Sequence, residues 1–321
     1  MFARVLGHQR QKNLLQRAVA SSRLPHAYMF EGPEGIGKCL MALALTKMLF
    51  CANGNSCSEC PACQKIDHHN HPDLHSISPD GSSIKIEQIR ALQKELSYRP
   101  LEAPYKVCLI DGAEKMNLAA ANALLKTLEE PRPQTLLILL TSTPDAVLPT
   151  IRSRCQRLPF SRIPKDKLQE VLVEQLNIDD TQAHILATLS EGSFKKALGK
   201  DRELYLQRRR DLLKTLAALS AGSVIPLLDM AQKLAEEKDL LFEILEIMQA
   251  FYRDLLLLKH GSPLDELVNI DMLETLNQVS RKEDVTSLLG KLNAIMTSRR
   301  HLERNVNRQL AMEVLLLRLV A

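Results

Sequence analysis

The chain has 321 residues, 42 Lys and Arg against 38 Asp and Glu, a formal charge of +4, 45% hydrophobic residues and seven cysteines. This composition excludes a largely disordered chain, and the near-balanced charge excludes general attraction to nucleic acid, which needs positive charge gathered in patches. No run reaches the roughly 18 apolar residues of a membrane span, and residues 1–10 lack an apolar secretory core, so the reading is a cytoplasmic protein of about two domains or more.

Leu14, Leu15, Ala18 and Val19 recur at helical spacing over about residues 6–20, Pro25 breaks the pattern, and Ala27 to Phe30 has the length of a buried strand. Gly32-Pro33-Glu34-Gly35-Ile36-Gly37-Lys38 follows, then the Leu-, Ala- and Met-rich helical segment Cys39 to Phe50. Strand, glycine loop and helix are the setting in which G-x-x-x-x-G-K holds phosphate. Gly32, Gly35 and Gly37 let backbone N–H groups turn toward an anion, the helix presents its positive end, and Lys38 adds a point charge. A glycine-rich turn with an exposed lysine is the plainer alternative. The next position ordinarily carries a hydroxyl that ligates Mg²⁺, but here it is Cys39, a soft donor for a hard cation. Binding of ATP or ADP is therefore expected to be weak, and Mg²⁺ positioning is compromised.

Cys51, Cys57, Cys60 and Cys63 place four thiols within thirteen positions, a C-x5-C-x2-C-x2-C spacing that suits tetrahedral Zn²⁺. An iron–sulfur cluster is the main rival, yet no redox motif accompanies it. The small polar residues between the cysteines cannot build a core, so metal would supply the folding energy, and four filled positions imply a structural rather than a catalytic site. His68, His69, His71 and His75 read as a solvated polar loop, with an alternative ligand set as the second reading.

Lys106 to Ile110 and Thr135 to Leu140 have strand length and flank a helical segment, Ala119 to Glu130, that Pro131 and Pro133 end. Alternating strands and helices imply a parallel sheet covered on both faces. The strand Val107 to Ile110 runs into Asp111, placed to bind Mg²⁺ directly or through water; a polar strand end is the alternative. The water-activating glutamate that normally follows is replaced by Gly112, and Glu114 is expected to face elsewhere. Cys39 and Gly112 together predict slow hydrolysis at best.

An arginine beside a γ-phosphate stabilises the charge spread over its oxygens, and Arg154, after Leu148-Pro149-Thr150-Ile151-Arg152-Ser153, is a candidate; an ordinary surface arginine is the alternative. From about Lys165 strand-like runs vanish and Leu recurs at three- and four-residue steps, so the rest is helical. Breaks fall near Pro159 to Pro164 and Gly199 to Glu203. Arg208, Arg209 and Arg210 read as a solvated helix face. Leu302, Val306, Leu310 and Val314 form a stripe for burial, either inside the domain or in a collar of subunits.

His26-Ala27-Tyr28, the cysteine insertion, the segment Asn122-Ala123-Leu124-Leu125-Lys126-Thr127-Leu128-Glu129-Glu130-Pro131 and Ser153-Arg154-Cys155 together resemble the clamp-loader branch of the AAA+ ATPases over nearly the whole chain. Asn305-Val306-Asn307 with Leu310 to Leu319 resembles the end of that branch's collar domain. The resemblance implies an α/β P-loop AAA+ domain over 1–162 with a zinc module inserted at about 51–63, a small helical lid over 163–203 and an all-α collar domain over 204–321. It implies that Arg154 acts as an arginine finger in trans on ATP held by a neighbouring subunit. It also implies that Lys196, within Gly192 to Ala197, is the lid residue reaching nucleotide, where arginine is common.

Motor subunits of this branch keep the hydroxyl and the acidic base, and this chain has neither. The implied function is a non-motor subunit of the replicative DNA polymerase III clamp loader. The implied partners are gamma/tau ATPase and delta subunits, the sliding clamp and, through the assembled complex, primer-template DNA, with no membrane. A gamma/tau-like motor hydrolysing ATP in its own site is the alternative. A zinc-dependent DNA-binding module is a third reading, although few Lys or Arg lie among the cysteines.

Overall fold

The structure is a computed structural model that describes the chain apart from residues 1, 3–4, 191, 194–196, 198–201, 219–223, 238–239, 305 and 321, and the backbone alone of 202 and 224. The chain divides into two compact units, Met1–Leu168 with Glu191–Lys196, and Gln169–Ser190 with Ala197–Ala321.

The first unit is built on five parallel strands, β1 (Ala27–Glu31), β2 (Leu74–Ile77), β3 (Lys106–Asp111), β4 (Thr135–Thr141) and β5 (Gln156–Pro159), in the order β2-β3-β4-β1-β5. Its helices are α1 (Gln9–Ala20), α2 (Lys38–Phe50), α3 (Pro61–Asp67), α4 (Ile86–Leu96), α5 (Leu118–Glu129) and the single turn α6 (Pro149–Arg152). β4, Thr-Leu-Leu-Ile-Leu-Leu-Thr, is buried at every residue because helices cover both faces of the sheet. Alternate residues divide between two layers. Phe30, Leu109, Ile138 and Leu140 pack with Leu15 of α1 and Met41 and Leu45 of α2. Met29, Ile110, Leu137 and Leu139 pack with Ile89 and Leu92 of α4 and Leu124 and Leu128 of α5.

The parallel arrangement follows from the helical crossovers, and it brings the C-terminal ends of β1, β3 and β4 to one edge, where open α/β sheets bind ligands. α1 starts at Gln9 rather than near residue 6, because Gly7 and His8 take left-handed backbone, φ 63° and 54°.

The second unit is helical, with Arg202–Ala218, Val224–Glu236, Leu241–Lys259, Leu273–Lys282, Val285–Glu303 and Arg308–Val320 around a core that includes Leu213, Met248, Phe251, Leu276, Leu288, Ile295, Met312 and Leu316. The triple arginine is not uniformly solvated. Arg209 is fully buried, donating from Nη2 to Asn269 Oδ1 and Asp271 Oδ1, both at 2.7 Å, whereas Arg208 is exposed. The stripe also divides: Leu302 is buried, while Val306, Leu310 and Val314 are 40%, 55% and 41% exposed, so these three are not covered by the chain's own described residues. No described helix is long and apolar enough to cross a membrane.

Candidate functional site

The glycine loop leaves β1 and enters α2. Gly32, Gly35 and Gly37 all have positive φ (145°, 77° and 101°), and Gly37 is the left-handed residue before the first turn of α2. At Gly32 the need for glycine is steric, because a Cβ there would stand 2.3 Å from the Phe160 carbonyl oxygen. Gly32 N–H donates to Thr141 O at 3.2 Å, tying the loop to the end of β4. Lys38 is buried, and its ammonium turns back onto the loop, donating to Gly32 O at 2.5 Å and Pro33 O at 2.7 Å. Burial pushes its pKa down, partly countered by the charges of Asp111, Glu114 and Glu34. The loop thus has the curled backbone and the cation that a phosphate needs. Cys39 lies exposed in the first turn of α2.

Asp111 ends β3 on the exposed side of the same edge. Gly112 follows with φ 73°, and a Cβ there would come within 3.3 Å of Pro79 Cγ. Its loss of a side chain is therefore matched by a backbone that L-residues rarely adopt. Residues 113–115 then form a 3₁₀ turn, from which Glu114 reaches the residue after β4, close enough to Lys38 for its charge to act there. Ser142 binds Glu114 Oε1 through its hydroxyl at 2.6 Å and its N–H at 3.2 Å. Burial alone would raise the Glu114 pKa, but these hydrogen bonds and one from Thr141 hold it below the usual value.

Arg154 follows α6 on the surface, 36% exposed at its side chain. Its Nη2 pairs with Glu129 Oε1 at 2.8 Å, and its Nη1 donates to Thr150 O at 2.9 Å. The adjoining Cys155 is buried, which pushes its thiol up to about 12. Lys196 lies outside the described residues.

The four cysteines converge between α2 and α3. Their sulfurs all lie within 4.8 Å of one another, with Cys51–Cys57 at 3.6 Å and Cys60–Cys51 at 3.9 Å. Four thiolates on one tetrahedral ion with bonds near 2.3 Å would be about 3.8 Å apart, so this donor set can hold a metal such as zinc. Cys60 N–H donates to Cys57 Sγ at 3.3 Å. Burial works against ionisation of Cys51, yet hydrogen bonds around Cys57, Asn55 and Asn53 bring it down to about 6, a thiolate suited to metal. Buried Lys47 anchors the module, donating to Asp67 Oδ2 at 2.6 Å and to Ser58 Oγ at 3.3 Å.

Of the neighbouring histidines, His68 and His69 are exposed as expected. His71 is not: it is 3% exposed and packs on Phe50, ring centroids 4.6 Å apart. The four cysteines form the only metal-competent cluster among the described residues.

Sequence reasoning passed over His8, whose ring Nε2 lies 2.9 Å from Ile36 O of the glycine loop, and gave Ser142 and Glu129 no role of their own. Each lies 25 or 28 residues along the chain from the residue it touches, so no local pattern signals these contacts.

The family described as DNA polymerase III, delta subunit, matches residues 7–164, and its C-terminal counterpart matches residues 203–320. The DNA polymerase III subunit delta' of Bacillus subtilis is 34% identical over 315 residues, 97% of this chain and 95% of that one. The delta' subunit of Haemophilus influenzae is 30% identical over 84% of this chain and 81% of its own. The tau subunit of Bacillus subtilis is 29% identical over 94% of this chain but only 58% of its own.

Proposed function

The chain belongs to the delta-prime family of DNA polymerase III subunits, and from that premise we propose that it serves as a non-motor subunit of the clamp loader, lending Arg154 to ATP on a neighbouring subunit. The observation that carries this reading is the contrast between two places at opposite ends of the parallel strands. Arg154 is a partly exposed, charged fork, while the chain's own nucleotide centre has a thiol at Cys39 and a left-handed glycine at Gly112.

Gly32, Gly35, Gly37 and Lys38 would hold the phosphates of ATP or ADP, with Lys196 approaching from a lid over 163–203. Cys39 and Asp111 offer Mg²⁺ one poor ligand and one good one. When bound at Cys51, Cys57, Cys60 and Cys63, Zn²⁺ would lock the inserted loop; it contributes no chemistry to the reaction. Arg154 would supply positive charge where a γ-phosphate gains negative charge during transfer to water, which stabilises the transition state without any proton transfer by the arginine.

Gamma/tau ATPase and delta subunits are the proposed neighbours, the sliding clamp and primer-template DNA are met through the whole assembly, and the setting is the bacterial cytoplasm. The uncovered Val306, Leu310 and Val314 would face neighbouring subunits in a collar formed by residues 204–321.

The gamma/tau-like motor would need Glu114 as the base, and its Oε1 is held by Ser142. Two measurements test the choice. Affinity purification of the tagged chain from its own cells should bring down DNA polymerase III subunits; their absence counts against the assembly reading. ATP turnover by the isolated chain should be negligible, and robust turnover abolished by Lys38→Ala would favour the motor.

A further inference from the structure

Glu129 is the last residue of α5, and Glu130 follows it directly. Two carboxylates at a helix C-terminus stand against the negative end of the helix dipole, so this is a place where acidic residues lower helix stability. Pro131 then stops the chain from continuing the helix. The one described cation that meets Glu129 in an ion pair is Arg154, with Nη2 at 2.8 Å from Oε1. On the other side of the same guanidinium, Nη1 donates to the carbonyl of Thr150, 2.9 Å away, a carbonyl of the single-turn helix α6.

The pair does little for stability. Both partners are more than a third exposed, 36% and 48% at the side chain, and exposed ion pairs are weakened by water and salt. What two anchors on different elements do accomplish is geometric. They fix the plane of a long, otherwise mobile side chain, and a planar fork recognises phosphate only when its plane and direction are right. A guanidinium has five N–H donors; among the described residues, Arg154 makes its contacts from Nη2 to Glu129 and from Nη1 to Thr150 O, with a longer one from Nη1 to Ser153 Oγ at 3.5 Å.

We propose that Glu129 is the positioning residue for Arg154: its carboxylate holds the guanidinium in the attitude in which the remaining N–H groups meet the phosphate of a nucleotide on the adjoining subunit. The proposal rests on the reading of Arg154 as a finger in trans.

The test is ATP turnover, stimulated by clamp and primed DNA, in an assembly reconstituted with the cognate motor and delta subunits. Glu129→Ala should lower kcat of the finger-dependent turnover by on the order of 10-fold to 100-fold, with KM for ATP and the thermal midpoint of the subunit unchanged. Glu129→Asp should recover part of the loss. In an Arg154→Ala background, Glu129→Ala should have no further effect. If Arg154→Ala lowers turnover while Glu129→Ala leaves it equal to or above the wild type, the positioning role is overturned and the finger stands. A loss from Glu129→Ala that is undiminished in the Arg154→Ala background also overturns it. Turnover unchanged by Arg154→Ala removes the finger itself, and this proposal with it.

Discussion

Gly112 takes left-handed backbone at φ 73°, and a Cβ built on it would press to 3.3 Å from Pro79 Cγ. The missing base is therefore more than a side-chain deletion, since the turn after β3 is wound in a way that disfavours the residue a motor would carry. Gly112→Glu should lower stability by about 1–2 kcal/mol, read from the denaturant midpoint, and should not create an ATPase. Cys39→Ser, at an exposed position, should change stability by less than about 0.5 kcal/mol while improving Mg²⁺-dependent nucleotide binding. A double variant that turns over ATP briskly would show that the turn is less restrictive than its geometry indicates.

The sulfur separations of 3.6 and 3.9 Å fit one tetrahedral ion. Elemental analysis of protein purified without chelator should find about one zinc per chain, and Cys57→Ser should retain far less. Chelation should expose the 52–60 segment to proteases while the sheet stays folded, because Phe50 and Ile66 belong to the apolar layer beside the module and do not depend on the metal alone. Iron in place of zinc, or complete unfolding on chelation, would contradict this account.

Asp73 supplies a pH-dependent anchor. Fully buried, it accepts N–H bonds from Leu101 at 2.7 Å, Glu102 at 2.7 Å and Ala103 at 2.8 Å. Burial would raise its pKa, but the three donors outweigh it and the folded value lies below the unfolded one. The stability it contributes is thus present above the unfolded value of about 3.9 and is lost as pH falls through the folded value. Asp73→Asn turns one acceptor into a donor facing an N–H, and should lose about 2–3 kcal/mol near neutral pH. Denaturation measured from pH 7 to pH 3 should show the gap to the wild type closing in acid; a constant gap would contradict the assignment.

The sequence revealed the parts of the first unit whose patterns are long or chemically distinctive. β1, β3 and β4 are unbroken apolar runs because both faces of the sheet are covered, and the glycine loop and cysteine spacing are readable without tertiary context. β2 and β5 were invisible for the opposite reason. Each has four residues at a sheet edge, and in β5 only Leu158 is buried, too little for any period to register. α4 was passed over although Ile89, Leu92 and Leu96 mark its buried face.

The errors share a cause: burial of a polar residue depends on a distant partner. Arg209 sits inside the core because Asn269 and Asp271, some 60 residues on, complete its hydrogen bonds, and His71 is covered by Phe50. The Glu129–Arg154 pair likewise joins the ends of two motifs that sequence order keeps apart.

In the proposed role, this subunit completes a reaction centre on its neighbour. The most direct measurement compares DNA-stimulated ATP turnover in reconstituted assemblies that differ only in Arg154 or Arg154→Ala of this chain. The account predicts a loss of about 10³-fold or more at the site the subunit borders, resolved by single-turnover kinetics, with the assembly itself intact. Equal turnover in the two assemblies would contradict it.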